Sequence, residues 1–572
     1  MRTGASYYPD LGSRPKWEAD LAVARETGLS VLRCGEFCWS RLSPRPGEWS
    51  TEWIEDFLDT AYRMDFSVIW CTPSATPPPY LFDRWPDLTA VDENNRPVPV
   101  GVRRNYCPSH EGYRDLCATT AVRLASLIDT HPAVVGWQID NELAGDGFTC
   151  WCPGCRSQFQ RWLEARYGTL DALAVAWQSD VWSQRYSDWS QIPIPHRAFP
   201  AHAPALKLAW RRFRSDNWLG FYRAQADALR TAGTAKPVTT NFFNLSWDTP
   251  FDRWSFRPHL DAIGISHYIE DEAGSALELA LLRGLDEKPL WVLEQKAGQQ
   301  NAQNLYPEDL KRLGTHLKRC AEAGAEYALY WHLRQHPAGC EMEHGAVLRH
   351  DGRPTRMATA IRDAIARLDA PAAAVSTRRI LVFDFGQHWA QETRPQPGAA
   401  WSYRETLEQD WFAALRDLWP DVAVGPYDEA LTRGEIVFAP HFQMADRIEL
   451  AEDFLRRGGT LVTTADFGRL DLENNVRPIA PLEGLPEGAA TPGEMLHLQP
   501  GFSVAGSLEN RALHGRNFWF LPTAASGVHH LAHHQFSGPA YLEKAIGRGR
   551  LIVLLSAFDR AGLTHLLRSL LP

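Results

Sequence analysis

The chain alternates short apolar runs with longer amphipathic stretches. The runs are Gly4–Tyr8, Val31–Phe37, Ser67–Pro73, Val134–Glu142, Val238–Phe243, Ala262–Tyr268, Leu290–Gln295 and Tyr327–Leu333. The fourth opens on β-branched residues and stays apolar through Ile139, as in a parallel strand covered on both faces. Stretches of helical period lie between the runs, among them Pro15–Thr27, Thr51–Met64, Gly112–Thr130, Ala205–Ala232 and Pro307–Ala323. Eight strands, each followed by a helix, predict an α/β fold of the (β/α)8 TIM barrel type. The stretch between the fourth and fifth runs holds Trp151, Trp162, Trp177, Trp182 and Trp189 and is expected to be a loop walling a pocket.

The pattern breaks at Leu368-Asp369-Ala370-Pro371-Ala372-Ala373-Ala374, a linker of small residues and proline. It restarts on a smaller scale, with strands at Arg379–Phe383, Ile436–Ala439, Thr460–Thr464 and Leu551–Ser556. Helices are predicted near Tyr403–Trp419, Arg447–Arg457 and Ala561–Leu571. Two domains are therefore expected, a barrel over 1–372 and a smaller α/β domain over 373–572.

Composition narrows the function. Lys and Arg number 59 against 69 Asp and Glu, a net charge of −10, and no basic cluster follows a phosphate backbone, so nucleic acid is not an expected partner. The 23 Trp exceed the needs of a core and suit a ligand with hydroxyl rims and C–H faces, such as a sugar. The N-terminus enters the fold without a signal-peptide core and no run is long enough to span a bilayer, which predicts a cytoplasmic protein off the membrane. In that reducing compartment the ten Cys are better read as core residues or metal ligands than as disulfides.

Two of the apolar runs end on a glutamate. The fourth passes through Asn141 into Glu142, and the seventh ends at Glu294. Strands four and seven face each other across a barrel mouth, so these carboxyls are candidates for the pair, about 5–5.5 Å apart, used by retaining glycosidases. One must hold a proton for the leaving oxygen while the other attacks ionised, and mutual repulsion separates their pKa values. Spacing alone leaves open two unrelated strand-end carboxylates. Cys150-Trp151-Cys152-Pro153-Gly154-Cys155, joined by Cys107, offers four thiolates for a structural Zn²⁺ with no open coordination position. Free thiols, a redox switch and a catalytic metal are the alternatives. No organic cofactor is expected.

Several segments resemble glycoside hydrolase family 42, the β-galactosidases. They are Tyr7-Tyr8-Pro9, Arg33–Leu42, Thr72–Pro78, Arg103-Arg104-Asn105-Tyr106-Cys107 and Trp137–Glu142, in that order. The resemblance implies a retaining exo-glycosidase acting on terminal β-D-galactosides, with Glu142 as general acid/base and Glu294 as nucleophile. It also implies that Asn141 and Arg103 bind the sugar beside the reacting carbon, and that Arg33 and Tyr268 steady the nucleophile. By the same likeness Glu341 and His344 grip galactose hydroxyls, while Trp182 and Trp331 supply pocket walls. The second domain, of flavodoxin or amidotransferase type, would build a homotrimer, and the family's small C-terminal β domain is missing before Pro572. Two departures are expected to flank the pocket: Ala302 stands where the family has an aromatic, and Leu333 where it has a tryptophan. They keep a preference for α-L-arabinopyranosides or plant oligosaccharides open as an alternative. An alternative of another class is a non-catalytic galactoside-binding protein.

Overall fold

The computed structural model describes residues 1–145, 149–198, 201–245, 250–286, 288–299, 307–369, 376–394, 402–477, 507–508, 511–512, 515–518, 528–529, 541–554 and 556–571. They form two compact units, one of Met1–Trp162, Phe213–Arg283 and Glu287–Ala373, the other of Leu163–Arg212, Gly284–Asp286 and Ala374–Pro572. Among the described residues, no helix is long and apolar enough to cross a membrane.

The first unit is built on a parallel sheet of β1 (Arg2–Ser6), β2 (Val31–Cys34), β3 (Ser67–Cys71), β4 (Val134–Gln138), β5 (Val238–Thr239), β6 (Asn241–Phe242), β7 (Ile263–Ser266), β8 (Leu290–Glu294) and β9 (Ala325–Tyr330). The sheet order is β5-β4-β3-β2-β1-β9-β8-β7-β6. The two ends of this order, β5 and β6, flank Thr240 and are the halves of the predicted fifth strand. Beside the break, Gly264 packs so closely against Thr240 that a Cβ there would lie 2.3 Å from its carbonyl oxygen. The eight predicted strands thus all exist and make a TIM-type barrel, closed through one interrupted strand.

Helices cover the barrel by the expected periodicity. Glu52–Arg63 buries Ile54, Phe57, Leu58 and Ala61, positions three and four apart, with Glu52 and Glu55 at its positive end and Arg63 at its negative end. Leu32, Val68, Trp70, Val134 and Val292 face such helices in the outer core, whereas Val31, Ile69, Trp291, Leu293, Tyr327 and Leu329 make a separate inner cluster. This alternation is the two-residue period of a strand. Register shifts add one residue in β4 against β3, one in β9 against β8, and one in β8 against β7, where Ile265 pairs with Val292 but Ser266 pairs with Glu294. The bulge lets Glu294 turn inward directly after the inward-facing Leu293.

The stretch expected to be a loop between the fourth and fifth strands carries two further helices, Pro153–Tyr167 and Leu170–Trp177, ahead of the predicted helix, which spans Pro204–Thr231. Trp162 packs on Phe159 one helical turn before it, and Trp177 packs on Tyr167 of the preceding helix.

The second unit carries a seven-stranded sheet in the order Val422–Gly425, Ser376–Val382, Ile436–Ala439, Thr460–Thr464, Gly549–Leu554, Tyr541–Ile546, Val528–His529. The first five are parallel and follow the chain order 2-1-3-4-5 of flavodoxin-like sheets; the last two are antiparallel. Val422–Gly425 and Tyr541–Ile546 are additions to the strands predicted from sequence. The predicted helix near Tyr403–Trp419 contains a π-helical segment, Leu407–Phe412.

Candidate active site

The strand ends gather the predicted residues. Beyond β4 the backbone takes a course that few L-residues adopt: Asp140, Glu142 and Ala144 all have φ between 49° and 60°. Each such residue costs about 1–3 kcal/mol and persists only where the surroundings over-determine it. Here they do. Buried Asp140 accepts bonds from Ser74 Oγ (2.6 Å), Tyr106 Oη (3.1 Å) and the Asn141 N–H (2.7 Å), and its own N–H donates to Thr72 Oγ1 (2.9 Å). The Glu142 N–H donates to Asn241 Oδ1 at 2.9 Å, and Arg104 Nε donates to the Glu142 carbonyl at 3.2 Å.

Glu142 and Glu294 are each 3% exposed. Arg33, fully buried, stands 2.8 Å from Glu294 Oε1; Tyr268 Oη donates to Oε2 at 2.7 Å and Asn241 Nδ2 to Oε1 at 3.2 Å. Glu142 Oε2 pairs with Arg104 at 3.0 Å. Arg33 Nη2 donates to Asn141 Oδ1 at 2.5 Å and Asn241 Nδ2 to the same oxygen at 3.0 Å. Because an arginine only donates, the oxygen of Asn141 must face it. Asn141 Nδ2 is then left buried with no protein partner among the described residues, a donor ready for a ligand hydroxyl.

Burial, followed by the charge of Glu142, pushes the Glu294 carboxyl up to about 8, against the pull of Arg33 and the Tyr268 hydroxyl. Two carboxyls that feel each other in a dry site titrate as a pair and share one proton over a wide range of pH. Burial, then the Glu294 charge, pushes the Tyr268 phenol well above its usual value, so it remains a donor.

The other predicted residues fall into three places. Arg103 Nη1 lies 3.9 Å from Glu341 Oε1, and Trp331 Nε1 donates to His344 Nδ1 at 3.4 Å, both on the loops above the barrel. Trp331 also meets the ring of Tyr8 edge-on at 5.7 Å. Trp182 belongs to the second unit and is 70% exposed, with φ 61°. Leu333 is fully buried within the outer core, so this departure is a packing change rather than a pocket wall. Ala302 lies outside the described residues.

Three residues that hold the carboxylates escaped the sequence reading: Arg104, Asn241 and Glu36. A polar residue in the apolar run Val238–Phe243 was the available signal for Asn241. For Arg104 there was none, because two adjacent arginines do not say which turns inward, and its φ of 58° is what buries it.

The four cysteines meet as expected. The Sγ atoms of Cys107, Cys150, Cys152 and Cys155 all lie within 4.8 Å of one another, and those of Cys152 and Cys155 are each 3.4 Å from Cys107. Tetrahedral Zn–S bonds of about 2.3 Å give sulfur–sulfur edges of about 3.8 Å, so the buried cluster is of a size to hold such a metal.

Residues 6–370 match the β-galactosidase model of glycoside hydrolase family 42. The chain belongs to that family. Residues 379–572 match the family's trimerisation domain. β-Galactosidase BgaA of a Thermus species is 33% identical over 532 residues, covering 85% of this chain and 80% of that protein. β-Galactosidase Bga of Halorubrum lacusprofundi is 30% identical over 516 residues, covering 84% and 72%. Among solved structures, the β-galactosidase of Rahnella sp. R3 superposes with a TM-score of 0.89 at 27% identity, over all of this chain and 89% of that one. The polyextremophilic enzyme of the Antarctic haloarchaeon H. lacusprofundi gives 0.90 at 25% identity, over all of this chain and 89% of that one. The chain is a glycoside hydrolase, and its family acts on β-galactosides.

Proposed function

We propose that this family 42 enzyme opens terminal β-D-galactosides with retention, using Glu142 as general acid/base and Glu294 as nucleophile. The observation that carries the reading is the donor set on Glu294. An arginine, a phenol and an amide all donate to it, opposing the burial and the Glu142 charge that push it up to about 8 and orienting the carboxylate that attacks once ionised. In the first step Glu294 attacks the anomeric carbon from the α face while Glu142 protonates the glycosidic oxygen, and the aglycone leaves as an alcohol. In the second, Glu142 takes a proton from water whose oxygen attacks the same carbon, releasing β-galactose and restoring both carboxyls. Asn141 Nδ2 is placed to bind the 2-hydroxyl, a bond that strengthens as the oxocarbenium-like transition state forms. Arg103, Glu341, His344 and Trp331 would bind the rest of the sugar. NMR of the first-formed sugar from a nitrophenyl galactoside tests retention: the β anomer is expected and the α anomer would overturn it. Faster turnover of the α-L-arabinopyranoside would replace galactose as the preferred sugar.

Arg104 Nη2 stands 3.0 Å from Glu142 Oε2, so an entering leaving-group oxygen has to loosen that contact before Glu142 can reach it. Arg104→Gln is expected to lower kcat/KM about tenfold, because the charge-assisted bond that orients the Glu142 carboxyl is gone. An unchanged kcat/KM would remove Arg104 from the positioning of Glu142.

The buried cysteine set fits Zn²⁺ in a structural role, pinning the loop that follows Glu142. Chelation should then lower Tm by about 5 °C and slow the enzyme only as it unfolds. Immediate loss of activity in a folded protein, reversed by zinc, would point to a catalytic metal instead. All ten cysteines are free and nine are buried, which suits the cytoplasm. The match of residues 379–572 supports a homotrimer, with a catalytic barrel over 1–372 and the assembly domain over 373–572.

A further inference from the structure

Glu36 lies two residues beyond β2 and has no role in the steps above. It is fully buried, as is Arg33. Its Oε1 accepts the Tyr8 hydroxyl at 2.7 Å and stands 3.0 Å from Arg33 Nη1, the same nitrogen that lies 2.8 Å from Glu294 Oε1. One nitrogen of one guanidinium therefore serves two carboxylates. Structural need alone does not call for the second. Arg33 already donates from Nε to Gln138 Oε1 (2.7 Å), from Nη1 to Ser6 Oγ (3.0 Å) and from Nη2 to Asn141, besides its pairing with Glu294.

We propose that Glu36 is a positioning residue for galactoside cleavage: by competing for Arg33 Nη1 it keeps the guanidinium from neutralising Glu294, so that Glu294 stays oriented and strongly nucleophilic. The proposal rests on the reading of Glu294 as nucleophile. A carboxylate held by an undivided arginine is a weak base, and its attack on carbon weakens with it. Glu36 has the opposite influence, raising the proton affinity of Glu294 while Arg33 lowers it.

Few other groups confuse the test. Glu294 faces Arg33, Tyr268, Glu142 and Glu36, and Glu36 faces Tyr8, Arg33, Asp10 and the thiols of Cys34, Cys38 and Cys71. Burial keeps the three thiols and Tyr8 neutral. Asp10, pushed up to about 6 by burial and, to a lesser degree, by the charge of Glu36, would move with Glu36→Gln, so Tyr8→Phe, which keeps that charge, is the variant that leaves Asp10 in place.

Glu36→Gln is expected to lower kcat about tenfold with KM within about twofold, and to move the acid limb of kcat/KM down by about one pH unit. Tyr8→Phe, a gentler change, removes a donor from Glu36, which then leans harder on Arg33; the limb should move up. Tyr8→Phe decides alone if Glu36→Gln does not fold. Wild-type limbs in the folded variants would mean that Glu36 merely packs, and would overturn the proposal. Azide rescue of Glu294→Gly checks the premise separately. Its success alongside unmoved limbs would reject Glu36 alone, whereas its failure would reject Glu294 as nucleophile.

Discussion

Glu294→Gly is expected to lose at least about 10⁴-fold in kcat on p-nitrophenyl β-D-galactopyranoside, the scale seen when a nucleophile is removed from a site otherwise intact. Molar azide should restore a large part of it. The vacated space admits the small anion to the α face, where it attacks the anomeric carbon as nitrophenolate departs with the bonding pair, and the product is the α-galactosyl azide. Residual activity above about 1%, or an azide of β configuration, would dismiss Glu294 as the attacking group. The same variant should be no less stable than the parent. Between an ordinary carboxyl value of 4.5 and about 8, folded Glu294 keeps a proton that the unfolded chain has lost. Stability contributed by that proton is complete below the lower value and falls away as pH rises through the upper one. The variant lacks this slope, so its Tm advantage should widen from pH 5 to pH 8, as thermal melts would show.

Glu142→Gln is expected to separate substrates by their need for a proton. A galactoside with an alkyl aglycone should lose about 10²–10⁴-fold in kcat/KM, the usual contribution of a general acid, and a dinitrophenyl galactoside much less. The step belonging to Glu294 should move down in pH, since the negative neighbour that raises it is gone. Equal losses across the leaving-group series would exclude proton donation by Glu142.

Much of the fold was written in the hydrophobic pattern, because eight buried parallel strands and their amphipathic covers leave a period that burial enforces. The end of the fourth strand was legible for the same reason: apolar residues stop and Asn141-Glu142 begins. What the pattern did not carry was long-range geometry. The interruption of the fifth strand at Thr240 is one such feature, which no residue type in Val238–Phe243 announces. Helices Pro153–Tyr167 and Leu170–Trp177 were hidden because their tryptophans read as pocket walls. Leu333 was expected to flank the pocket because it stands where the family has a tryptophan, yet its side chain is fully buried in the core, a direction that residue type alone does not give. Arg103 was read as a sugar contact and Arg104 was given no role, from the same difficulty: local sequence names the residue types, and the backbone course, φ 58° at Arg104, decides which one reaches Glu142.

The extra residue in β8 separates two properties that enzymes often tie together. Because Glu294 is aimed by strand pairing against Ser266 and not by the loop that follows, the chemistry is anchored in hydrogen bonds of the barrel wall. The loops beyond it are free to change length and composition. Libraries that randomise residues after Lys296 should therefore redistribute preference among aglycones at little risk to the reacting centre, whereas Glu341 and His344, read as sugar contacts, would be kept. A deletion that closes the bulge would instead face Glu294 outward and silence every substrate at once. For this barrel, selectivity is the evolvable layer and the strand register is the part that has to stay fixed.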